Sequence, residues 1–283
     1  MADDEVIGGW HIDPEMSRNM RLTLVRKRLD QGEFAEAVLE CEELLDESPD
    51  HPEALFLLGE ALLELGDPQS AGEAYEQQVE IAGRTPENPF SIGALTGLAV
   101  CRFEMCDIPG AIEAARDAIR LSPELAEAHY TLGLALERVP GRKSEAVNAF
   151  SAARGLDPDA YPFPLQLDRR GWDALVAAAR EKLPSKLKKF WGGVNFKLEE
   201  LPDMGELRRN DPPISPTVTG LYDGTPPEDE DEDPWFVKPL AMRLFTGNIA
   251  RIGDRDAAIE EIVAVLRSEA IDWLGIGEDE LDE

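Results

Sequence analysis

Apolar positions in the first half of the chain fall at helical spacing, and the pattern returns at a fixed interval. Leu24 and Leu58 are 34 residues apart, as are Gly32 and Gly66, Ala37 and Ala71, and Leu98 and Leu132. Gly133 after Leu132 echoes Gly59 after Leu58, while Ala111 and Ala146, like Pro123 and Pro158, are 35 apart. Self-similarity at about 34 residues marks a stack of like units, each too small to bury its apolar face alone. Each unit predicts two amphipathic helices joined by a tight turn. Ala37, Ala71, Ala111 and Ala146 are small enough for helices to approach closely, and Leu58, Tyr75, Leu98, Leu132 and Phe150 fill the space between neighbouring pairs. Pro49, Pro86, Pro123 and Pro158 stop the second helices, because proline cannot continue a helix interior. The four units span 18–51, 52–88, 92–125 and 126–159, giving a repeat domain over 18–160 behind an N-terminal segment, 1–17.

These residues and their spacing resemble the tetratricopeptide repeat. The first unit departs from the pattern, with Val25 where a glycine is usual and Arg28 at an ordinarily apolar position, as suits a partly exposed terminal repeat. The alternative is a helical bundle without repeats. Such repeats stack into a curved array lined on its inner surface by the first helix of each pair. Helical spacing puts Arg26, Phe56, Glu60, Phe103, Glu104, Tyr130 and Glu137 toward that groove. Repeat proteins of this kind that clamp a C-terminal carboxylate use lysine and asparagine, which are missing here. The set is aromatic and mostly acidic, and fits a basic or apolar protein segment. The competing reading is that the aromatic side chains pack against a further helix or the second domain.

The periodicity ends after Pro158. Tyr161-Pro162-Phe163-Pro164 reads as an extended linker into a second domain over 165–283, since proline biases its predecessor away from helix. Helices are predicted from Trp172 to Leu183 and from Ser185 to Trp191, and Val194, Phe196 and Leu198 alternate as in a strand. A proline-rich loop after Leu201-Pro202-Asp203 leads to a short strand, 218–222, with Asp223-Gly224 as its turn. Residues 228–233 are an unbroken acidic run, read as a solvated loop or a docking strip for a basic partner. A further strand is predicted over 242–249. A last helix follows, N-capped by Asp254, apolar along Ile259, Ile262, Val263, Leu266, Ala270 and Trp273, and ended by Gly275. The fold class is therefore mainly α: a four-repeat helical solenoid, then a smaller α+β domain.

The end of that last helix, Leu266-Arg267-Ser268-Glu269-Ala270-Ile271-Asp272-Trp273-Leu274-Gly275-Ile276-Gly277-Glu278, resembles the H-E-x-x-H-x-x-G-x-x-D/E helix of small bacterial zincin-like metallopeptidases. Segments like Trp172 to Val176, Lys182-Leu183-Pro184, Leu201-Pro202-Asp203, Gly220-Leu221-Tyr222-Asp223-Gly224 and Pro239 to Phe245 precede it in that family, in the same order. The resemblance implies a zincin-like fold and a metal helix. In a working site two histidines four apart bind zinc, and the glutamate between them takes a proton from metal-bound water. Here Ser268 and Asp272 stand at the histidine positions. Glu269 keeps the general-base position and Glu278 a third-ligand position. The three histidines, His11, His51 and His129, and the three cysteines, Cys41, Cys101 and Cys106, all precede this domain. The oxygens of Asp272, Glu278 and Glu269 suit a hard cation weakly and zinc poorly. The expectation is no metal site, no cofactor and no confident catalytic residue.

Charge narrows the function classes. Of 283 residues 58 are acidic and 28 basic, a net charge of −30 that repels phosphate backbones and argues against nucleic acid. No apolar run reaches the roughly 18 residues of a membrane span. An acidic start and an odd, small cysteine count point to the cytoplasm. The leading expectation is a protein-binding scaffold with an inactive peptidase-like domain. The alternatives are a metal-dependent peptidase with atypical ligands, and an acidic immunity or chaperone-like protein that covers a basic partner.

Overall fold

The computed structural model describes residues 6–7, 10–11, 14–85, 88–227 and 234–281. Pro86 and the acidic run 228–233 lie outside the described residues. The chain divides into two compact units, 1–157 and 158–283.

The first unit opens with a short antiparallel pair, β1 (Val6–Ile7) and β2 (Trp10–His11). Eight helices follow: α1 (Pro14–Asp30), α2 (Phe34–Glu47), α3 (Pro52–Glu64), α4 (Pro68–Ala82), α5 (Pro89–Glu104), α6 (Ile108–Leu121), α7 (Ala126–Glu137) and α8 (Lys143–Leu156). The first helix begins at Pro14 rather than at residue 18, so part of the predicted N-terminal segment is helical. The repeated positions work as their sizes suggest. Ala37, Ala71, Ala111 and Ala146 are buried between helices. Tyr75 of α4 lies against Gly59 of α3 and Gly97 of α5, and Phe150 of α8 lies against Gly133 of α7. Leu24 of α1 is exposed.

Turn chemistry repeats with the packing. Asp67 and Asp107 each cap the helix that follows, accepting the N–H of Ser70 at 3.0 Å and of Gly110 at 3.1 Å. A proline near the start of each of those helices has no N–H to leave unsatisfied. Gly32 and Gly66, just before the second helices of the first two units, have φ of +74° and +78°, a left-handed conformation that glycine adopts without steric cost. In the third unit Cys106 takes that place at φ +61°.

The second unit contains α9 (Arg169–Lys182), α10 (Ser185–Phe190), β3 (Asn195–Glu199), α11 (Met204–Leu207), β4 (Gly220–Asp223), β5 (Ala241–Phe245), α12 (Thr246–Ala250) and α13 (Arg255–Leu274), then a 3-10 turn, Glu278–Leu281. The sheet order is β3-β5-β4, with β5 parallel to β3 and antiparallel to β4. All five residues of the central strand β5 are buried. Trp191 joins the core of α9, α10 and α13 and donates its indole N–H to Leu266 O at 3.1 Å.

Two local readings are corrected. The strand predicted over 242–249 ends at Phe245, and Thr246–Ala250 turn into α12. Tertiary hydrogen bonds hold that turn: Asn248 Nδ2 donates to Pro216 O at 2.9 Å and Val218 O at 2.7 Å, and Gly247 N–H to Glu200 O at 2.8 Å. The loop after Leu201 contains α11, capped by Asp203 through the N–H of Glu206 at 2.9 Å.

Candidate functional site

Helix α13 carries the positions that resemble a metal motif. Asp254 caps its N-terminus by accepting from Ala257 N–H at 2.8 Å, and Gly275 ends it in the left-handed region at φ +64°. Ile259, Ile262, Leu266, Ala270 and Trp273 face the core, with Val263 packed at its margin. That facing fixes where the motif positions point. Ser268 and Asp272 are exposed, Glu269 is half-buried, and Glu278 is exposed with Arg267 4.0 Å away.

Tyr222 of β4 engages two of these residues. Its backbone N–H donates to Glu269 Oε2 at 2.9 Å, and its hydroxyl donates to Asp272 Oδ2 at 2.5 Å. The ring stands edge-on to Trp273, with centroids 5.0 Å apart. Since β4 is an edge strand, Glu269 satisfies an N–H that no neighbouring strand reaches. Burial pushes the Glu269 carboxyl up to about 7; the Tyr222 N–H opposes the shift, Asp272 adds to it, and Arg243 opposes it. The Tyr222 phenol is also raised, first by burial, then by the hydrogen bond to Asp272 and the charges of Asp272 and Glu269.

Arg243, 8% exposed in the middle of β5, anchors the acidic surroundings. It donates from Nη1 and Nη2 to the two carboxylate oxygens of Glu206, at 2.8 and 2.5 Å, and its Nε lies 2.6 Å from Asp223 Oδ1. A buried guanidinium matched by a two-pronged carboxylate is a well-compensated charge. Sequence reasoning did not single out Tyr222 or Arg243 as site residues. Tyr222 stood inside the Gly-Leu-Tyr turn motif, and the signal for Arg243 was a lone charge inside an apolar strand.

The residues at the motif positions do not suit the zinc that a zincin-like domain implies. A serine and one carboxylate, Ser268 and Asp272, stand where imidazoles are needed, and Asp272, like Glu269, already accepts from Tyr222. His51 caps α3 through Ala54 N–H at 3.3 Å, and His129 Nε2 lies 2.9 Å from Pro123 O, both in the first unit. Among the described residues, no three histidine, cysteine, aspartate or glutamate side chains converge as a metal site. This donor set does not fit zinc.

The predicted groove residues divide. Phe56 and Glu60, one turn apart on α3, are half-buried together. Phe56 packs over Gly93 of α5, with its centroid 5.6 Å from Phe90 and 6.1 Å from Tyr75. Burial raises the Glu60 carboxyl, and the charges of Glu127 and Glu64 add to that shift. Glu104 of α5 and Tyr130 and Glu137 of α7 are half-buried, and Tyr130 lies edge-on to Phe150 at 5.5 Å. Arg26 of α1 is exposed and ion-paired with Glu53. Phe103 is a correction: at 1% exposure it belongs to the core, because α5 is packed by α4 and α6 as well as by α3 and α7. Glu127, Tyr75 and the glycines of α5 were not among the predicted groove residues. Their signal was the Gly-x-x-x-Gly spacing of Gly93 and Gly97 on a first helix.

Residues 22–89 and 102–161 match the tetratricopeptide repeat family, and residues 191–283 match the zincin-like metallopeptidase family. No curated protein matches the chain. Among solved structures, the chain is similar to a crystal structure of MamA, at 26% identity and a TM-score of 0.42, covering 47% of this chain and 74% of that one. MamA from Desulfovibrio magneticus is 23% identical with a TM-score of 0.43, covering 50% and 76%. A thermophilic TPR protein of Thermus thermophilus gives 23% and 0.43, also covering 50% and 76%.

Proposed function

We propose that this chain is a protein-recognition scaffold: a tetratricopeptide array that takes a basic or apolar protein segment, joined to a zincin-like domain that does not hydrolyse peptides. The observation that carries the reading is the engagement of Tyr222 with both Glu269 and Asp272. The residues at the general-base position and at one ligand position hold an edge strand to the helix. Without a zinc-bound water, Glu269 has nothing acidic enough to deprotonate. The repeat half supports the binding role, since stacked helix pairs present an extended surface. The net charge of −30 favours a basic partner over nucleic acid. The described residues contain no helix long and apolar enough to cross a membrane, and we place the protein in the cytoplasm with no membrane partner and no cofactor.

Elemental mass spectrometry of the full-length protein after exhaustive dialysis tests the reading. The expected result is zinc far below one atom per chain. One zinc per chain would overturn the ligand argument and reinstate a peptidase.

A second reading is hydrolysis with atypical ligands. It is favoured by the Glu269 carboxyl, which burial raises to about 7 and so into the range of a general acid or base at neutral pH. Peptide hydrolysis abolished by both a chelator and Glu269→Gln would establish it. Activity unaffected by either would exclude it.

A further inference from the structure

The inner helices of the repeat unit carry a group of carboxylates without cationic partners. Among the described residues, Glu60 and Glu64 of α3 and Glu127 of α7 make no ion pair. The nearby basic groups Arg26 and Arg102 are paired with Glu53 and Glu76. The charges of Glu127 and Glu64 act on Glu60 even though α5 separates α3 from α7. Between the two acidic helices α5 presents Gly93 and Gly97, a low saddle floored by the Phe56 and Tyr75 rings, which take the glycines' side-chain places.

A second, independent feature points into the same place. Tyr75 is 2% exposed, and its hydroxyl makes no hydrogen bond among the described residues. Its ring runs from α4 between Gly59 and Gly97. A Cβ on Gly97 would lie 2.4 Å from the ring and 2.9 Å from the hydroxyl oxygen. The hydroxyl therefore comes up at the saddle, within the field of Glu60, Glu127 and Glu64. A phenol hydroxyl at the surface with no protein partner keeps a donor and an acceptor free for water or a ligand. Phe56, packed over Gly93, forms an apolar wall beside it.

We infer that this saddle is a subsite for an alkylammonium group, a lysine side chain of the partner segment. Its chain would lie along Phe56, and its ammonium would sit between Glu60 and Glu127 and donate to the Tyr75 hydroxyl. The inference rests on the reading of the repeat unit as a protein-recognition surface and names the chemistry of one contact. Glu60 and Glu127 supply charge, Tyr75 supplies direction, and Gly97 lets the Tyr75 ring bring its hydroxyl up beside α5. A lysine meets these requirements better than an arginine, because a compact ammonium fits a single narrow saddle and needs no planar fork of acceptors.

The test uses n-butylammonium, the end of a lysine side chain, titrated into the full-length protein at neutral pH and about 150 mM salt, near physiological ionic strength. Amide resonances of Gly93 and Gly97 are followed by NMR. The expected result is saturable shifts at both glycines, absent with n-butanol and with butyrate. Tyr75→Phe keeps the ring packing and should weaken binding about 3- to 10-fold, and Glu60→Gln with Glu127→Gln by more than about 10-fold. Shifts that do not saturate, that n-butanol reproduces, or that survive both variants unchanged would overturn the subsite. The scaffold reading fails separately: it falls if the protein holds stoichiometric zinc and cleaves peptides, whatever butylammonium does.

Discussion

At the scale of the residue, Glu269 shows burial and a hydrogen bond competing over one carboxyl. Its carboxyl is raised to about 7 because burial disfavours its charge more than the Tyr222 N–H favours it. A carboxyl with a raised folded value binds its proton more tightly in the native state. Its contribution to stability is therefore full below the ordinary carboxylate range, and is lost as pH climbs from about 4.5 through about 7. The shift corresponds to at most about 3 kcal/mol. Glu269→Gln removes the ionisation and keeps an oxygen for the Tyr222 N–H. The variant is expected to match the natural protein in thermal stability at about pH 5 and to exceed it by about 1–3 kcal/mol at about pH 8. Thermal melts of both proteins across that range check this. A variant less stable at the alkaline end would show that the ionised carboxylate is a net stabiliser of the edge strand.

At the scale of the element, two glycines of the repeat unit should respond in opposite directions to the same substitution. Alanine is favoured over glycine inside a helix by about 1 kcal/mol. Gly155 of α8 has nothing within 4 Å of where an alanine methyl would stand, so Gly155→Ala is expected to raise stability by roughly 0.5–1 kcal/mol. A methyl on Gly97 would meet the Tyr75 ring at 2.4 Å, and Gly59 holds that ring from the other side. Gly97→Ala is expected to cost about 1–3 kcal/mol, overpacking outweighing propensity. Chemical denaturation of both variants checks the pair. The same distinction shows what the sequence made legible. The repeat helices were visible because a period of about 34 restates each size constraint several times. Helix α12 was not, since one turn held by Asn248 to Pro216 and Val218 depends on partners 32 and 30 residues away. The motif positions Ser268, Glu269 and Asp272 were also legible from their spacing. Their partner Tyr222, 47 and 50 residues before Glu269 and Asp272, could be placed only by the fold. Phe103 misled because helical spacing cannot say how many neighbours a helix has.

At the scale of the whole molecule, charge is the dominant unbalanced term. Pairing all 28 lysines and arginines with carboxylates would still leave 30 carboxylates in surplus. The native state gathers that surplus into compact units, whereas the unfolded chain spreads it out, so repulsion opposes folding. Ion pairs such as Arg21 with Glu43 and Glu47, or Arg169 with Asp173, act the other way, but each is exposed and worth only a fraction of a kcal/mol to about 1 kcal/mol. Salt weakens both effects, and its net sign reveals which is larger. The Debye length falls from about 30 Å at 0.01 M to about 10 Å at 0.1 M, so repulsion summed over a whole unit is screened before contacts near 3 Å are. Raising sodium chloride from about 0.01 to about 0.15 M is therefore expected to raise Tm by several degrees. Calorimetry with sodium chloride, in place of sulfate or phosphate, separates this screening from preferential exclusion. A Tm that falls with salt would mean that the ion pairs outweigh the surplus, and that the acidic surface is organised for stability.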